Sequence, residues 1–124
     1  NNVQIIHRIQ KYYFCQMKKT FEQAWKEVIL KLEKRFGEGL DLQAILFLIG
    51  LQELGMGYQK LKKDQKVDVM HIAVCALLSQ WGYYEFTGYD EGGWPHWKET
   101  NKLPSLNAKQ QDRLIREAIV EYFA

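Results

Sequence analysis

From Val3 to Phe36 the apolar residues recur in steps of three and four: Ile5, Ile9, Tyr12 or Tyr13, Met17, Phe21, Trp25, Val28, Leu32 and Phe36. That spacing is one face of a helix, and it predicts a first helix over 3–36. Thr20 followed by Gln23 resembles a capping box, which would break the helix near Lys19. The stripe keeps its phase across Thr20, so the pattern favours one long, bent helix. Gly37 and Gly39 end it. A second helix, over 41–56, takes Asp41 as N-cap and is apolar nearly all round, as a central buried helix is. Gly50 within it would let a neighbouring segment approach closely. Gly55 and Gly57 stop it. Tyr58 to Lys66 carries four lysines and reads as a solvated connection.

A third helix is predicted over 65–81. Asp64 is its cap, and its core stripe is Val67, Met70, Ala73, Val74, Leu77, Leu78 and Trp81. A fourth, over 107–123, starts at Asn107 with Gln110. It buries Leu114, Ile115, Ala118, Ile119, Tyr122 and Phe123, and sets Arg113 four residues from Glu117.

The periodicity fails over 82–106, a connection of twenty-five residues. Helix–helix linkers are usually about two to eight residues long. Seven of the seventeen residues from Trp81 to Trp97 are aromatic. Rings left in water are costly, at roughly 25 cal/mol per Å² of apolar surface. The connection should therefore fold back onto the helices as an ordered irregular segment. A short hairpin around Glu91-Gly92-Gly93 would place Pro95 in its second strand and weaken it. The expected fold is a single all-α domain spanning 1–124. It is a bundle of four main helices with a long aromatic-rich connection before the last.

Composition agrees with a packed domain. Of 124 residues, 47% are hydrophobic and 14% aromatic, and disorder needs a poorer mixture. Net charge is only +2, but its distribution is uneven. Residues 1–35 carry eight basic and three acidic groups, whereas residues 67–100 carry one basic and five acidic. The longest apolar run, Ala44 to Leu51, spans eight residues, and a membrane helix needs about twenty. Cys15 and Cys75 lie sixty residues apart with no framework spacing. They read as buried, reduced thiols, and with no signal peptide in view the expected location is cytoplasmic. No phosphate loop, Gly-x-Ser-x-Gly elbow or Cys-x-x-Cys pair occurs, so no cofactor is expected.

Three constellations carry chemistry. The first is the aromatic segment itself. Flat rings beside carboxylates stack sugars or bases, or cage a cation. Tyr84, Tyr89, Asp90, Glu91, Trp94, His96 and Trp97 are the candidate contacts. They point to a non-enzymatic binding or protein-interaction module whose partner is a protein, a peptide or a small ligand; alternatively the same rings roof the bundle, one end apolar and the other meeting water. The second is Asp68, His71 and Cys75, which share one face of the third helix. They offer an alternative, a metal-binding or catalytic helical protein joined by His96 if the segment folds back along the helix. A di-iron site would need a second acid–His pair, which the fourth helix lacks. Cys75 sits mid-helix among apolar neighbours, which disfavours a thiolate. The third is the basic face of the first helix, with Arg8, Lys11, Lys18, Lys19, Lys26, Lys31, Lys34 and Arg35. It would suit a nucleic-acid adaptor, but Glu22, Glu27 and Glu33 interrupt it, as in a solvated face. Ile5, Ile6 and Ile9 offer either a homodimer surface or a cap for the bundle.

Overall fold

The computed structural model describes residues 2–17, 20–55 and 61–124, with the backbone alone over 11–17. Five helices and one two-stranded sheet are described. The expected single helix over 3–36 is two, α1 (Asn2–Met17) and α2 (Phe21–Phe36). The cap overrides the stripe. Thr20 is extended, at φ −65° and ψ 154°. Its hydroxyl accepts from the Gln23 N–H at 3.2 Å, and the Gln23 side chain accepts from the Thr20 N–H at 3.2 Å. Two otherwise orphaned helix-start donors are satisfied at once.

The stripe divides with the chain. Val28 and Leu32 of α2 are buried, and Trp25 and Ile29 pack against them. Ile5, Ile6 and Ile9 of α1 remain 54%, 53% and 50% exposed. Among the described residues no packed interface joins α1 to another element. Lys19 and the side chains of Tyr12, Tyr13, Cys15 and Met17 lie outside the described residues.

The centre of the molecule is the pair α3 (Leu42–Leu54) and α4 (Lys63–Ser79). Asp41 caps α3, accepting from the Ala44 N–H at 2.8 Å. Gly55, at φ 70°, closes it in the left-handed conformation that glycine adopts without strain. Gly50 is where the helices meet. A Cβ there would lie 2.0 Å from the Val69 carbonyl oxygen and 2.7 Å from its Cγ1. Ile45, Ile49, Val69 and Leu77 are fully buried around this seam. The anticipated end at Met56 and the stretch from Tyr58 to Lys60 lie outside the described residues. The cap of α4 is Lys62 rather than Asp64. The Gln65 side chain accepts from the Lys62 N–H at 3.0 Å. Asp64 sits in the first turn, where the positive end of the helix dipole favours a carboxylate.

The last helix, α5 (Ala108–Tyr122), starts at the expected Asn107–Gln110 box. It packs on α4 and α2. Arg113 stacks over Phe21 at 3.8 Å and Arg116 over Trp25 at 4.9 Å. Glu117 and Asp112 pair with the two guanidiniums, at 2.8 and 2.7 Å. Among the described residues no helix is long and apolar enough to cross a membrane.

The connection between α4 and α5 corrects the all-α expectation. It holds an antiparallel hairpin, β1 (Tyr84–Tyr89) and β2 (Pro95–Glu99). Pro95 does not prevent it, because a strand's first residue can do without its N–H. The hairpin's base is tied to the end of α4. Thr100 donates its N–H to the Tyr83 carbonyl at 3.0 Å and its hydroxyl to the Gly82 carbonyl at 2.8 Å. Both strands lie against α4.

Candidate functional site

One carboxylate organises the hairpin's tip. Asp90 Oδ1 accepts from the backbone N–H of Gly92 at 2.9 Å and of Trp94 at 3.0 Å. Asp90 Oδ2 lies 2.8 Å from His96 Nε2. The Asp90 N–H donates to the Trp94 carbonyl at 2.9 Å, and the Gly93 N–H to the Asp90 carbonyl at 3.0 Å. A short acidic side chain bonding backbone N–H groups ahead of it is a recurrent way to fix a turn. The His96 bond first, then the Trp94 N–H, holds the Asp90 carboxyl below the usual carboxylate range. An ionised carboxylate only accepts, so His96 Nε2 carries the proton and, in the neutral ring, Nδ1 keeps a free lone pair. Glu91 stands exposed at the tip.

A bulge decides which rings share a face. Phe86 pairs with Trp97 and Gly88 with His96, leaving Thr87 as the extra residue. Phe86 and Tyr89 are three apart, which in a regular strand sets them on opposite faces. The bulge restores one phase. Phe86 therefore meets Tyr89 and Trp97 edge to face, with ring centroids 5.2 Å apart in both pairs. Phe86 is 44% and Tyr89 67% exposed.

Two clefts flank this hairpin and share Pro95 and Trp97 as a common wall. One, of about 440 Å³, lies between the tip and the first half of α4. Gln65, Asp68, His71 and Ile72 line it from α4, and Asp90, Trp94, His96 and Trp97 from the hairpin. Trp94 also packs on Leu54, Val69 and Ile72, which seats the tip on the core. The other, of about 500 Å³, is lined by Tyr84, Glu85, Phe86 and Tyr89 of β1, by Pro95 and Trp97 of β2, and by Glu53 and Ser79. The Trp97 indole N–H is buried without a hydrogen-bond partner among the described residues.

The candidate residues therefore separate. Asp90, Trp94, His96 and Trp97 meet Asp68 and His71 in the first cleft. Tyr84 and Tyr89 belong to the second, where Tyr84 also leans on the main core and burial raises its hydroxyl pKa. Cys75 lines neither cleft. It is buried, with Sγ 3.7 Å from His71 Nε2, and burial pushes its thiol up to about 11. Such a thiol is a poor nucleophile at neutral pH. Among the described residues no three His, Cys, Asp or Glu side chains are placed to hold a metal ion.

Gln65 and Ile72 were missing from the sequence reading, although they flank Asp68 at helical steps on the same face. Glu53 and Ser79 had no sequence signal, because they reach the second cleft only through the packing of α3 and α4 against the hairpin. Protein-family models, curated proteins and solved structures were compared with this chain, and none matches it.

Proposed function

We propose that this protein is a binding module whose recognition element is the hairpin over 84–99, with a small hydroxyl-rich ligand seated between the hairpin tip and α4. One observation carries this reading. The hairpin folds back along α4, so that Asp90, Trp94 and His96 face Asp68 and His71 around one cleft. The side chains suit such a ligand. Asp68 and Asp90 accept hydrogen bonds, the imidazoles and the Gln65 amide donate or accept, and the indole rings offer flat apolar faces. The cleft's volume falls within the roughly 300–1,000 Å³ common for small-molecule sites. The tip is fixed before any ligand arrives, which limits the ordering cost of binding.

The test is a titration with glucose, N-acetylglucosamine, ribose and adenosine, followed by the indole N–H signals of Trp94 and Trp97. Saturable shifts that vanish in Asp68→Asn and His71→Ala support the reading. A panel that moves neither indole signal at high concentration rejects it.

A second reading draws on the Asp90–His96 pair. An imidazole held by a fixed carboxylate is the orienter-and-base arrangement of general acid–base catalysis. Under it, hydrolysis of p-nitrophenyl esters or phosphates would fall to background in His96→Ala. Turnover that survives this substitution would discard it.

A further inference from the structure

The second cleft has a different chemistry. Its walls are the rings of Tyr84, Phe86, Tyr89 and Trp97, and its two charged lining residues are Glu53 and Glu85. Among the described residues no Lys, Arg or His side chain lines it. Phe86 stands at 70° to Tyr89 and at 61° to Trp97. The negative potential of a ring lies over its face, and its positive edge repels a cation, so only the ring faces can hold one. Glu53 is held in place by the Tyr122 hydroxyl, which donates to Glu53 Oε1 at 2.8 Å. Glu85 lies between Tyr84 and Phe86 in a regular stretch of β1, so its carboxylate turns to the opposite face with its ladder partner Lys98.

We infer that this cleft is a site for an alkylated ammonium group, held by the faces of Phe86, Tyr89 and Trp97 and drawn in by Glu53. It is separate from the cleft beneath the tip and does not depend on a ligand there. Three features select this ligand. The Glu53 carboxylate, and the lack of basic lining side chains among the described residues, favour a cation over a neutral or anionic group. The rings favour a weakly hydrated cation, because a bare lysine ammonium holds its water strongly. The exposed edge formed by Phe86 and Tyr89 lets a cation enter without unfolding the hairpin. A free quaternary ammonium compound and a trimethylated lysine side chain present the same group.

The test compares choline, a short peptide bearing trimethyllysine, and 3,3-dimethylbutanol, the neutral counterpart of choline. Binding is read from the Trp97 indole N–H signal. At least one of the two cations should bind about tenfold or more tightly than the neutral alcohol, the size of a partly desolvated cation–π contact. Preference for choline identifies a free small molecule as the source, and preference for the peptide a modified side chain. Phe86→Leu keeps apolar volume without the ring and should remove the preference for the cation while the alcohol binds as before. Glu53→Gln should weaken the cation and flatten its salt dependence. His71→Ala, which removes ligand contacts in the other cleft, should leave the preference for the cation here unchanged. Equal binding of cation and alcohol, no binding of either cation, or an undiminished preference in Phe86→Leu would each overturn the inference.

Discussion

The α3–α4 seam and the hairpin are held by opposite means. At the seam a glycine lets two helices close until only hydrogen fits, and the neighbours are wholly apolar. In the hairpin the fixing contacts are polar and local, with three donors gathered on Asp90, while the rings beside them remain partly in solvent. A seam of the first kind answers to volume. A hairpin of the second kind answers to the loss of one acceptor, and it keeps apolar surface that the core does not need. That division leaves the second region free to present a site.

Substitutions can break or sharpen this contrast. The largest effect is expected of Gly50→Val, whose added carbons would strike the Val69 backbone. Side-chain overpacking commonly costs about 1–3 kcal/mol, and a clash with a backbone that cannot rotate away goes beyond that range, so urea unfolding should show little folded protein. Leu77→Ala opens a cavity in a fully buried position and should cost about 2–5 kcal/mol by the same measurement. Asp90→Ala should act locally. The amides of Gly92 and Trp94 should lose their protection from exchange, with a much smaller change in the global midpoint.

Acid should mimic the Asp90 substitution. The Asp90 pKa is lowered in the folded protein, so its contribution is fully present above the ordinary carboxylate range near pH 4 and is lost as pH falls through the folded value. A pH series of the Trp94 amide signal checks the sign. The smallest effect is that of Tyr89→Ala. At 67% exposure the ring should contribute within about 0.5 kcal/mol to stability. A loss of several kcal/mol would make it a core residue and remove the contrast.

The sequence carried the seam more clearly than the hairpin. A helix apolar all round with one glycine at its middle announces close burial, and Gly50 meets Val69 as that reading requires. The Asn107–Gln110 box fixed the start of α5 because capping is a local matter. At Thr20 two signals competed. The in-phase stripe continued, but a stripe records which residues are apolar and not whether the backbone between them is helical, so the cap decided. The hairpin's turn was legible in Glu91-Gly92-Gly93. The bulge at Thr87 was not, since nothing in Phe86-Thr87-Gly88 dictates which residue is left unpaired. Without it Phe86 and Tyr89 fall on opposite faces and the second cleft cannot be foreseen. The meeting of His71 with His96 likewise depended on the hairpin's path back along α4, a tertiary choice outside local propensity.

Native-state hydrogen exchange tests the contrast most directly. Two levels of protection are expected. Amides of α3 and α4 around Gly50 and Leu77 should exchange only through global unfolding. Ladder amides of β1 and β2, with those of Gly92 and Trp94, should exchange through a smaller opening that Asp90→Ala alone makes easier. A hairpin that exchanges at the rate of an unstructured chain would contradict the account, because no preformed site would then exist. A single level shared by hairpin and seam would contradict it too, since the hairpin would then be part of the core.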